Sequence, residues 1–254
     1  MSRSFTYSAI TLRVKSAGQS NREAWFLTAE EGVLKATVFG GPKSRLRAQV
    51  APFHQGTLWI YHDPVRDSRK VSDFDVLSYR TGIRELYERV MTAGAVAETV
   101  LASHGGGGGW PEAAKLTGSV LDAIGEADAA LCSRLGVYFL WHWSDILGVR
   151  PDLSACASCA GEVPREQALW YSAANEGLLC ERCVQRENHS PAKALPAVRL
   201  GPGAKLWLSS IESFPPAALT RITLDSPSLE QAKALSKTVL ARALEKRLPT
   251  WEGI

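Results

Sequence analysis

The chain has 254 residues, 45% hydrophobic and 22% charged, which is enough for one large or two modest globular domains and excludes a disordered tail. Its net charge is only +3, yet residues 1–50 carry eight Lys and Arg against three acids, a local +5 that leaves −2 on the remainder. A basic end on a near-neutral body suits a polyanion-binding module and equally a solvated surface, while five cysteines, an odd set, argue for metal binding over a disulfide framework.

The opening "MSRSFTYSAITLRVKS" lacks the apolar run and small-residue cleavage pattern of a signal peptide, so a cytoplasmic protein is expected. "SAITLRVK" alternates Ile10, Leu12 and Val14 with Thr11, Arg13 and Lys15, the period of two that sets an inner face against an outer one. "EAWFLTAEEG" and "GVLKATVFG" follow across a Glu31-Gly32 turn. After a Gly-Pro-basic loop, "GTLWIYHD" and "KVSDFDVLSY" repeat the alternation across "DPVRDS". Five short strands in the first 80 residues predict a barrel of the oligonucleotide/oligosaccharide-binding (OB) type, because closure largely removes the sheet edges. If Leu58 and Ile60 point inward, Trp59 and Tyr61 point outward, either to stack on a base or to pack against helices. Asp73 and Asp75, two apart on a strand, read as a solvated face rather than a nuclease pair.

From Thr81 the period becomes helical. "IRELYERVMTAGAVAETVLAS" places Ile83, Leu86, Val90, Ala93 and Val96 near one face, and the glycines 105–109 end it, read as a flexible connection. Neither that run nor "GPGAKLW" carries the Lys-Ser/Thr of a phosphate loop. Further helices are predicted over "EAAKLTGSVLDAIGEA", over about Ala129–Leu147, over "GPGAKLWLSSIES", and over "SLEQAKALSKTVLARALEKRL", the last with Leu229, Ala232, Leu235, Val239 and Leu240 on one side. The apolar "LGVYFLWHW" is far shorter than the roughly 20 residues of a membrane span. Cys132 and His142, on this apolar segment, read as core residues. The expected class is α+β: a barrel over 1–80 and a helical domain over 81–254, interrupted by an insert at 151–189.

That insert holds two Cys-x-x-Cys pairs, Cys156 with Cys159 and Cys180 with Cys183, separated by twenty residues. The spacing matches four-thiolate zinc sites, and a hairpin through Leu169, Trp170 and Tyr171, turning at Asn175 and Gly177, would bring the pairs together as a zinc ribbon. Four thiolates fill a tetrahedral ion and leave no open position, so the expected zinc is structural. Reduced pairs without metal are the alternative, and His189 reads as solvated rather than as a ligand.

The loop "GGPKSRLRAQVAPF" places Lys43, Arg45 and Arg47 within five positions, as binding of a phosphate backbone requires, although an exposed basic loop without a ligand has the same composition. "PKSRLRAQVAPF" after three strands, "LGVRPDLSACASC" after an apolar helix, and "GLLCERC" together resemble the bacterial recombination mediator family RecO, in the right order over most of the chain. The resemblance implies an OB barrel, a helical domain and, where the cysteines are kept, a zinc insert. It implies binding of single- and double-stranded DNA, annealing of complementary strands, and work with the partner RecR in exchanging single-strand-binding protein for RecA. By motif, Lys43, Arg45 and Arg47 would contact DNA, Cys156, Cys159, Cys180 and Cys183 would hold zinc, and the barrel would meet RecR. Many relatives have further basic residues where this chain has Phe39, Gly40, Gly41 and Pro42, which adds Arg13, Lys15 and Lys35 to the expected DNA contacts. Annealing needs no covalent chemistry, so no enzyme is expected. A zinc-dependent nuclease and a protein-interaction module without a direct DNA role are the competing readings.

Overall fold

The computed structural model describes residues 3–18, 20–41, 43–188 and 198–254. The chain forms two compact units, residues 1–132 with Gly253, and residues 133–252 with Ile254.

In the first unit, strands β1 (Ser4–Ala17), β2 (Asn21–Thr28), β3 (Gly32–Val38), β4 (Gln55–Asp63) and β5 (Ser68–Ser78) close a barrel in the order β1-β2-β3-β5-β4. Every ladder is antiparallel except the seam, where β3 meets β5 in parallel through Thr37 opposite Lys70. The interior is filled by Tyr7, Ala9, Ala24, Phe26, Leu34, Ala36, Val38, Leu58, Ile60, Val71 and Phe74. Ile10, Leu12 and Val14 do not share the inner face as their spacing predicts. The β1–β2 register shifts between Thr11 and Arg13, so Tyr7 and Ala9 face inward before the bulge and Val14 after it. One extra residue in a strand reverses the sidedness of all that follows. Without the bulge, the inward parity of Tyr7 and Ala9 would carry Arg13 and Lys15 into the core.

The segment between β3 and β4 is not simply a loop. Residues Arg45–Gln49 form a short helix, α1. A single turn is marginal alone, and tertiary packing supplies what is missing: Leu46 and Val50, four apart, join the barrel core, Val50 being fully buried.

A 3-10 turn at Thr81–Glu85 precedes α2 (Tyr87–Ala102), and α3 is Trp110–Glu126. Because α2 starts only at Tyr87, the helical phase does not run back through Ile83, and Val90, expected on the buried face, is 39% exposed. The glycine run does more than connect: Gly105 is buried at φ +81°, and a Cβ there would lie 3.1 Å from the Val33 amide nitrogen of β3. Both helices pack on the outside of β1. Arg80, with only 2% of its side chain exposed, ties them to the barrel by donating to Asp122 Oδ1 at 2.7 Å, Phe53 O at 2.8 Å, Gly118 O at 3.3 Å and Gln55 Oε1.

The second unit is built around α4 (Ala129–Ile146), whose first turn belongs to the first unit. Leu135, Val137, Phe139, Leu140, Trp141 and Trp143 are fully buried. Next come β6 (Leu169–Ser172), β7 (Gly177–Leu179), α5 (Glu181–Asn188), β8 (Val198–Leu200), α6 (Pro202–Ile211) and α7 (Ser226–Ala243). In α7, Ala232, Leu235, Val239 and Leu240 are buried, as the spacing predicts, while Leu229 in the first turn is half-buried. The hairpin β6–β7 gains β8 as a third strand, in the order β7-β6-β8. Buried Lys205 of α6 donates to the carbonyls of Val163 and Pro164 at 3.0 and 2.8 Å, which anchors the insert to the helices. Among the described residues no helix is long and apolar enough to cross a membrane.

Candidate functional site

The β6–β7 hairpin returns the second cysteine pair to the first. The sulfurs of Cys156, Cys159, Cys180 and Cys183 all lie within 4.8 Å of one another, with Cys159 and Cys180 at 4.0 Å. These are not disulfide distances. A tetrahedral zinc with Zn–S bonds of about 2.3 Å separates its sulfurs by about 3.8 Å, so the cluster fits such an ion with only slight contraction. The first knuckle is folded by Ala160, at φ +55°, whose N–H donates to Cys156 O, and is joined to the hairpin by Ala157 N–H on Leu178 O at 2.8 Å. Gly177 permits that approach: a Cβ there would sit 2.6 Å from Ala157 Cβ.

Electrostatics point the same way. Burial raises the Cys156 thiol, but the N–H groups of Cys180, Cys159 and Ser158 directed at it outweigh burial and hold it at about 6. Burial, aided by hydrogen bonds to the neighbouring sulfurs, pushes Cys183 up to about 12. Without a cation, the cluster carries part of the negative charge it can hold, and a divalent ion is what lets every sulfur ionise. His189, read as solvated, lies outside the described residues.

The basic segment sits at one rim of the barrel. Lys43 and Arg45 are exposed, while Arg47 is half-buried, and none of the three pairs with a carboxylate among the described residues. Leu46 anchors the turn in the core, so Arg45 and Arg47 ride on a fixed helix rather than a free arm, with Lys43 just ahead of it. Sequence reasoning missed a fourth member. Arg22 at the start of β2 donates from Nη1 to Arg47 O at 3.3 Å, and its pKa is lowered, first by burial and then by the charge of Arg47. A cation held beside another in this way is a place where an anion is welcome.

Arg13, Lys15 and Lys35 do not join that rim. They lie on the outer face of β1–β3, where Arg13, Trp25 and Lys35 stand opposite one another in register. The ammonium groups of Lys15 and Lys35 lie 5.8 and 5.3 Å from the Trp25 ring centroid, and Lys35 also pairs with Glu23 at 2.5 Å. Trp25 was not singled out from the sequence. Its signal was present: it alternates with the inward Ala24 and Phe26, which forces its ring outward.

Trp59, 36% exposed, and the half-buried Tyr61 do point outward on β4. Tyr61 is engaged by Lys70, 4.8 Å from its ring centroid, and by Arg3, which donates to its hydroxyl at 3.2 Å. Asp73 and Asp75 are exposed on β5. Cys132 is 1% exposed and burial pushes its thiol up to about 11, which makes it a poor nucleophile. His142 is held by the Ile211 carbonyl at 3.1 Å, and its pKa is lowered, chiefly by burial.

Comparison with known proteins covers nearly the whole chain. Residues 1–80 match the family model described as "Recombination protein O N terminal", and residues 84–252 match "Recombination protein O C terminal". Among curated proteins, the chain is 27% identical to the "DNA repair protein RecO" of Heliobacterium modesticaldum, over 97% of this chain and 87% of that one. It is 26% identical to the protein of the same name from Synechococcus sp., over 96% and 79%, and 22% identical to that from Desulforamulus reducens, over 96% and 91%.

Proposed function

Because this chain belongs to the RecO family of DNA repair and recombination proteins, we propose that its barrel binds single- and double-stranded DNA and anneals complementary strands. With RecR it then helps load RecA onto DNA coated by single-strand-binding protein. The observation that supports the reading best is the cationic rim of Lys43, Arg45, Arg47 and Arg22, pinned by Leu46 and free of carboxylate partners among the described residues. Two strands brought together for pairing repel through their phosphates, and cations that neutralise both lower that cost and release counterions. Arg13, Lys15 and Lys35 extend the contact along the barrel.

The mechanism asks for no nucleophile or general base. The residues that carry it do so by charge and position: α1 fixes two cations through its core anchor, and the bulge in β1 turns two more outward. In the second unit, Cys156, Cys159, Cys180 and Cys183 would hold a structural zinc, which would cross-link the knuckles and neutralise the thiolates. Its effect falls on the fold of the ribbon and the helices to which Lys205 ties it. The division into a barrel over 1–80 and a helical part over 81–254 with its insert follows from the same reading.

Strand annealing of complementary oligonucleotides tests it, with and without RecR and at several salt concentrations. Faster annealing than in buffer, weakening as salt rises, is expected. A protein that leaves the spontaneous rate unchanged even in dilute buffer refutes the reading.

A further inference from the structure

The rim offers charge, but the outer face of β1–β3 offers something different. Part of that face is covered by the first unit's own helical segment: Ile10 and Leu27, paired in register, are buried, Ile10 lies against Gly118 of α3, and Gly105 packs between Leu27 and Val33. The other part is open. It holds Trp25 in the central strand, Arg13 opposite on β1, Lys35 opposite on β3, and Lys15 two residues along. The acid among them, Glu23, is engaged by Lys35, while Arg13 and Lys15 have no carboxylate partner among the described residues. A lone half-exposed aromatic on a sheet is ordinary. An indole with two lysine ammonium groups near its ring and an arginine opposite it on the adjacent strand is a pattern that suits an unpaired base and its flanking phosphates.

We propose that this open patch is a single-strand subsite, in which Trp25 stacks on one unpaired base of DNA while Arg13, Lys15 and Lys35 engage the flanking phosphates. The proposal rests on the DNA-binding reading above and adds to it a site that discriminates. Paired bases inside a duplex cannot present a face to the ring, so duplex DNA gains only the charge term here, whereas a single strand gains both. The ammonium groups now near the ring do not block it. Exposed cation–π contacts are weaker than base–aromatic stacking, and a lysine displaced to the ring's edge stays within reach of the phosphates. The rim lies at the far end of the same strand: Arg22 precedes Trp25 by three residues, about 10 Å along β2. Arg22 shares the parity of the inward Ala24 and Phe26, so it stands at the barrel end and not on the open face with Trp25.

The test uses fluorescence anisotropy on the full chain with three labelled DNAs of equal length: oligo-dT, a wholly abasic strand, and a duplex. The native protein should bind oligo-dT about 5- to 150-fold more tightly than the abasic strand, the span of stacking on one base. Trp25→Ala should abolish that preference while changing affinity for the abasic strand by no more than about twofold, and Trp25→Phe should retain part of it. Equal affinity of the native protein for oligo-dT and the abasic strand overturns the subsite and leaves the rim untouched. So does a Trp25→Ala loss that is equal on both strands. If Trp25→Ala fails to fold, the native and Trp25→Phe preferences decide. Failure of the native protein to bind any of the three DNAs sinks the DNA-binding reading and the subsite with it.

Discussion

Replacing Lys43, Arg45 and Arg47 together by Ala isolates what the rim contributes. The substitutions spare the packing: Leu46 and Val50 keep their places in the core, the Arg47 carbonyl still accepts from Arg22, and alanine favours the short helix. Because these cations have no carboxylate partners among the described residues, no new unpaired acid is created. Each phosphate contact on single-stranded DNA contributes about 0.7 to the slope of log affinity against log salt, so three lost contacts should flatten that slope by about 2. Between 50 and 200 mM salt, a slope difference of 2 closes the gap between native and variant affinities by about 16-fold. Anisotropy titrations of a labelled oligonucleotide at four or five salt concentrations measure this directly. Parallel lines, with the variant weaker by a constant factor or not at all, would remove the rim from the binding site.

Other perturbations probe the metal centre and the buried His54. Cys180→Ser should release zinc, measured by a chelating dye, and lower the melting temperature of the second unit while the barrel's transition stays in place; retention of a full equivalent of zinc would contradict the four-sulfur site. Gly177→Ala drives a methyl to 2.6 Å from Ala157 Cβ and should cost about 1–3 kcal/mol in denaturant unfolding. Ala157→Gly in the same chain should restore most of it, and an unrescued double variant would place the strain elsewhere. His54 is 3% exposed, with Nδ1 2.7 Å from Gln49 O and Nε2 3.2 Å from an Arg84 nitrogen, and its pKa is lowered, first by burial. The folded state therefore resists protonation while the unfolded chain takes it up. Stability is fully present above about 6.5 and falls as pH drops through that value, by up to about 1.4 kcal/mol per pH unit. His54→Asn, which keeps a donor to Gln49, should flatten that part of the profile, and an unchanged pH dependence between 7.5 and 5.5 would refute it.

How much of this was legible beforehand depends on whether the determining contact is local. The barrel strands, the helices and the β6–β7 hairpin follow from short-period alternation and turn residues, which neighbouring positions supply. The meeting of Cys156, Cys159, Cys180 and Cys183 was legible because paired spacing is itself a geometric instruction. The bulge at Thr11–Arg13 was not: Ile10, Leu12 and Val14 alternate cleanly, and only the pairing with β2 and β4 shows that Tyr7 and Ala9 claim the interior upstream. α1 was hidden because its five residues have no helical stability of their own and borrow it from the barrel end. Arg22 and Trp25 were passed over because each matters only through residues far along the chain, Arg47 in one case and Arg13, Lys15 and Lys35 in the other.

The parallel join of β3 to β5 at Thr37 and Lys70 is far shorter than the antiparallel ladders around it. A cylinder stitched so unevenly yields at its thinnest stitch, and amides flanking that join should trade hydrogen for deuterium before those of the β1–β2–β3 wall. Thermal breathing then leaves the wall bearing Trp25 and the lysines rigid, while the lip carrying Lys70 swings.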